Sequence, residues 1–96
     1  MPVGALSVEL HLPGCGSLKE KRAALRPILE GCRARFGVAA AEVDYQDLHQ
    51  RAALVFAAAS ASHHHIEEVL DSVERLVWSR PDAEVVSSDR RWLDEA

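Results

Sequence analysis

Residues Ser17–Phe36 read SLKEKRAALRPILEGCRARF, and the elements on either side are assigned from this stretch outward. Ser17 followed by Glu20 is a capping box: the hydroxyl accepts from the Glu20 N–H, and the carboxylate reaches back to the Ser17 N–H. At about 100° per residue, Leu18, Leu25, Ile28, Leu29, Cys32 and Phe36 fall in one sector, the core face of an amphipathic helix. Lys19, Arg22, Arg26 and Arg33 form a ridge beside that sector, interrupted by Glu30. Pro27 removes one N–H and disfavours helical geometry at Arg26. It therefore predicts a kink near Ala23–Pro27 or a second helical segment starting at Pro27. Gly37 ends the helix as a left-handed cap.

Upstream, residues 3–12 alternate, with Leu6, Val8, Leu10 and Leu12 on one side and Ala5, Ser7, Glu9 and His11 on the other, the period of a half-buried strand. The loop Pro13–Ser17 joins it to the helix. Downstream, Val38–Asp44 is a short strand, Tyr45–Gln50 a polar connection and Arg51–Ser60 a strongly apolar strand. Ser62 caps a second helix, whose stripe is Ile66, Val69, Leu70, Val73, Leu76 and Val77. Glu67, Glu68, Asp71 and Glu74, with Arg75 among them, make its other face acidic. Pro81 and Asp82 stop it, Ala83–Trp92 is a last strand, and residues 93–96 are expected to fray.

The order strand–helix–strand–strand–helix–strand, with two right-handed crossovers, predicts an α+β ferredoxin-like βαββαβ sandwich in one domain. Its four-stranded antiparallel sheet has order 4-1-3-2, with both helices on one face. Strand three is apolar in both parities: Leu54, Phe56 and Ala58 alternate with Ala53, Val55 and Ala57. A strand apolar on both sides asks for cover on both. A homodimer through the open sheet face is the plainest source of that cover.

The net charge of −4 argues against a strongly basic nucleic-acid binder, but the charge is uneven. Residues 1–37 carry six Lys/Arg against three Asp/Glu, and residues 38–96 carry five against twelve. Cys15 and Cys32 lack the C-x-x-C spacing of zinc or redox sites. No basic leader precedes the first apolar residues, and no apolar run is long enough to span a bilayer, so the expected location is cytoplasmic with no membrane partner.

Candidate sites each have a competing account. The loop Pro13-Gly14-Cys15-Gly16-Ser17, with Lys19, Lys21 and Arg22 beside it, either binds a phosphate or is only a capped helix start. It matches no full phosphate-loop motif. His63, His64 and His65 at a helix start point about 100° apart and cannot converge on one metal ion. One of them with a carboxylate four residues on makes at most a weak surface site. No nucleophile–base pair is evident, so no enzyme, cofactor or metal is expected. RNA-recognition motifs need aromatic side chains on the central strands, and only Phe56 is present there. The ridge Lys19, Arg22, Arg26, Arg33 either tracks a phosphate backbone or pairs with Glu67, Asp71 and Glu74 of the second helix.

Three blocks resemble the YlxP-like family, also called domain of unknown function 503: Ser17–Arg22, Ala41–Val43 with Gln46–Ala52, and His65–Asp71. The resemblance runs from about residue 3 to 90, with departures at Cys15 and Tyr45. It implies a small bacterial ferredoxin-like protein, encoded near translation initiation factor two and a ribosome-binding factor, with no established activity. The implied role is around RNA or ribosomes. Together with the basic first helix it gives the expectation of a non-catalytic accessory factor for RNA or a ribosomal subunit that presents Lys19, Lys21, Arg22, Arg26 and Arg51 to phosphates. A dimeric protein-interaction or small-ligand regulatory module is the alternative. Gln46, Asp47 and Gln50 belong to the family's motif loop. They form a site or merely order the turn, where Asp47 and Arg51 are spaced for a local ion pair.

Overall fold

The computed structural model describes residues 2–93. The elements are β1 (Val3–His11), α1 (Leu18–Phe36), β2 (Ala39–Asp44), β3 (Arg51–Ala59), α2 (His63–Trp78) and β4 (Glu84–Trp92). They form an α+β fold with one antiparallel sheet of order β2-β3-β1-β4, which read from the β4 edge is 4-1-3-2. The alternating burial of β1 and β3 puts both helices on one face, and the other face is open.

The helix ends are set by local chemistry. Ser17 Oγ accepts from the Glu20 N–H at 3.1 Å, and Ser62 Oγ accepts from the His65 N–H at 3.2 Å. The second arm of the capping box differs from expectation, because the Glu20 carboxylate accepts from the Gly16 N–H at 3.3 Å, one residue earlier than Ser17. Gly37 closes α1 at φ 67°, its N–H donating to Arg33 O at 3.1 Å. Pro27 does not split the helix, which is continuous over 19 residues. Pro27 and Ala23, whose carbonyl loses its donor, are both exposed, so that carbonyl is open to solvent and its burial cost is avoided.

The core joins Leu6, Val8, Leu10 and Leu12 of the first strand and its end to Leu54 and Phe56 of β3. Above them lie Leu25, Ile28 and Cys32 of α1, and Ile66, Leu70, Val73 and Val77 of α2. Burial pushes the Cys32 thiol up to about 11. A register shift between Glu9 and Leu10 leaves Val86 of β4 unpaired and exposed. Leu93, expected to fray, donates its N–H to Val3 O at 2.8 Å and extends the β4 pairing. The rest of the expected frayed end, residues 94–96, lies outside the described residues.

Candidate functional site

The basic ridge depends on how α1 is rotated over the sheet. Leu76 of α2 sits 3.7 Å from where a Cβ on Gly31 would be, so the flank of α1 that carries Gly31 is the one facing α2. Arg22, Arg26 and Arg33 lie on the opposite flank, along a groove of about 200 Å³ between α1 and β2. Lys19 and Arg22 make no ion pair with a described residue. Arg26 approaches Glu30 only to 4.0 Å, with both side chains about two-thirds exposed, a contact of little energetic weight. Arg33 is more engaged, donating to the Ala40 carbonyl of β2.

Pairing of the ridge with the acids of α2 does not occur. Asp71 and Glu74 take Arg90 of β4 instead, Asp71 at 2.6 Å, and Glu74 through two guanidinium nitrogens. Arg90 stands opposite Leu6 on the helix side of the sheet and emerges beside α2. Its guanidinium is the cation nearest to those carboxylates, and its fork geometry suits them. Neither helix therefore neutralises the other.

Lys21 was placed among the phosphate contacts by its charge, and its position corrects that. It is only 2% exposed, with Nζ 2.6 Å from Glu42 Oε2 and donating to Tyr45 O at 2.7 Å. The ammonium lies off the hydrogen-bonding direction of Glu42 Oε2, so that contact is ionic and the aimed bond goes to Tyr45. The Tyr45 carbonyl also accepts from the Leu48 N–H at 3.0 Å, and Tyr45 itself is left-handed at φ 61°. Lys21 is thus a structural cation that fixes the β2–β3 turn from below.

Arg51 does not join the ridge either. It projects from β3 on the open face, donates to Glu9 at 2.9 Å, and stacks over the Tyr45 ring at 4.2 Å. Its partner is Glu9, not Asp47. Of the motif loop, Gln50 Nε2 donates to Pro13 O at 3.3 Å, and the Leu12 N–H donates to Gln50 O at 2.9 Å, which ties the turn to the β1–α1 loop. Asp47 and Gln50 line an open cleft of about 480 Å³ with His11, His49 and Arg51, while Gln46 is exposed outside it. His11 is bound to Glu84 at 3.2 Å.

The other motifs resolve locally. In the Pro13–Ser17 loop the Glu20 carboxylate occupies the Gly16 N–H that an anion would need. The three histidines diverge: His63 packs edge-on against Trp92 at 4.8 Å, and His64 pairs with Glu68 at 3.1 Å. Among the described residues no group of three His, Cys, Asp or Glu side chains is placed to hold a metal ion. No helix among them is long and apolar enough to cross a membrane.

These features define a small ferredoxin-like α+β protein with an uncompensated basic helix flank. Over its full length it superposes on 89% of acylphosphatase from Bacillus subtilis with a TM-score of 0.54 and 11% identity, a likeness of fold alone. The chain belongs to the DUF503 family, described as a protein of unknown function, whose model matches residues 3–90. It is 36% identical over 91 residues to the uncharacterized protein YlxP of Bacillus subtilis (strain 168), covering 95% of this chain and 99% of that protein.

Proposed function

We propose that this protein is a non-catalytic accessory factor that engages structured RNA or a ribosomal subunit through the outer flank of α1. Lys19, Arg22 and Arg26 are its phosphate contacts. The observation that carries this reading is the direction of the flank: it faces away from α2, whose Asp71 and Glu74 are held by Arg90. Lys21 is excluded from the set by burial, and Arg51 by its place on the opposite sheet face. Co-sedimentation with ribosomal subunits at two salt concentrations tests it. Binding should weaken as salt rises, and Arg22→Glu with Arg26→Glu should weaken it further and flatten the salt slope by about two counterions. Absence of binding at low salt, or indifference to the double reversal, would overturn it.

A second reading rests on the open sheet face, where Ala5, Ala53, Val55 and Ala57 lie half-buried with no helix above them. A second copy seated there makes a homodimer and leaves α1 accessible. Light scattering should then give twice the chain mass, and Val55→Lys should return the monomer. A monomer at every concentration would exclude the dimer and leave the α1 reading standing.

A further inference from the structure

The two edges of the sheet are unlike. The β4 edge carries Glu84, Asp89 and Arg91 and is bent by the shift at Val86, the usual ways in which an edge is kept from pairing. The β2 edge has no lysine, arginine or proline. Its register with β3 is regular from Ala39 to Glu42 and shifts at Val43, and the Ala40 carbonyl accepts from Arg33. Its open-face side chains in the regular stretch, Ala39 and Ala41, are small and exposed. Glu42 turns inward, which on an edge strand discourages pairing, but its charge is met by Lys21. Alongside runs the groove described above, lined by Leu25 and Leu29, by Arg22, Arg26 and Arg33, and by Glu30 and the Lys21-paired Glu42.

We infer that this edge and groove accept an extended acidic peptide as a fifth strand beside β2. Side chains of an added strand alternate between the two sheet faces. Those on the helix side meet Arg22 and Arg26, whose guanidiniums suit carboxylates, and Arg33, which already donates to the Ala40 carbonyl. Those on the other side continue the row of Ala39 and Ala41. The matching segment therefore alternates acidic and apolar residues.

A second copy of this chain is a poor occupant of the same edge. Antiparallel β2–β2 pairing across a two-fold axis sets both α1 flanks side by side, with Arg22, Arg26 and Arg33 of each facing the same three of the other. That like-charge contact disfavours self-pairing. The inference goes beyond the nucleic-acid reading, with which it shares Arg22 and Arg26; it differs in needing the β2 main chain, which phosphate binding does not.

The probe is a blocked heptapeptide alternating glutamate and valine, followed by amide chemical shifts of the whole chain. Shifts should centre on Ala39–Val43 and the facing turns of α1. Arg26→Gln should weaken binding about tenfold, the effect of one lost charge-assisted contact. N-methylation of the peptide along its pairing edge should abolish binding, an effect that charge attraction to the α1 flank alone would not give. Equal binding of the lysine–valine counterpart, shifts located elsewhere, or no shift at millimolar peptide would overturn the inference. So would concentration-dependent β2 shifts without peptide, because they would make the second copy the occupant.

Discussion

Replacing Lys21 with methionine should lower the unfolding free energy by about 3 kcal/mol, the low end for breaking a buried ion pair. The low end applies because Glu42 keeps 21% of its side chain exposed and can turn partly toward water. Two losses combine. Glu42 retains its charge and loses its ion-pair partner, and the Tyr45 carbonyl loses its aimed donor. The methionine stem fills the space of the lysine stem, so packing is not what changes. For a domain of this size the midpoint of a thermal melt should fall by roughly 12 °C or more. Adding Glu42→Gln should restore most of the loss, since no buried charge then remains. Lys19→Met, on the exposed side of the same helix, should stay within about 0.5 kcal/mol of the parent. Equal stabilities for the Lys21 and Lys19 variants would refute the structural role assigned to Lys21.

That residue also shows where sequence reasoning stops. Lys21 stands four residues before Leu25, seven before Ile28 and eleven before Cys32, squarely in the core stripe of α1. The spacing was the available signal, but the charge argued for the surface, and only an acid arriving from β2 makes the buried position tolerable. The caps at Ser17, Ser62 and Gly37 were legible because each is satisfied within a few residues. The order of the strands followed from the handedness of two crossovers. The direction of the arginine flank was not legible, because it depends on the rotation of α1 against α2 and hence on how Gly31 and Leu76 fit. Nor was the pairing of Arg51 with Glu9. His11 stands opposite Arg51 and Ala53 opposite Glu9, so the ion pair runs along a diagonal that only the register defines. The same holds for Arg90, whose carboxylate partners lie 16 and 19 residues away on another element.

Gly4 sets how closely α2 lies on the sheet, and Gly4→Ala should cost about 2 kcal/mol as an overpacked contact. A Cβ on Gly4 would stand 2.6 Å from Ile66 Cγ2, with Trp92 Cζ3 at 3.3 Å and Leu70 Cδ1 at 3.4 Å. The Leu70 contact is ordinary and the tryptophan ring can give slightly. Ile66 Cγ2 cannot, because it is bonded to Cβ in the first turn of α2, so relief requires the helix itself to lift. Gly4 lies on the helix side of β1, in line with Leu6, and a glycine inside a strand often marks such a close approach. A double-mutant cycle separates this from a loss of strand propensity. Ile66→Ala alone should cost about 3 kcal/mol, as a fully buried isoleucine truncated to a cavity. Combined with Gly4→Ala, the new methyl enters the space that Ile66 has vacated, so the pair should cost at least about 1 kcal/mol less than the sum. Urea denaturation of the four proteins gives the coupling directly. Strict additivity would mean that Gly4 serves the strand backbone alone, with α2 free to sit higher.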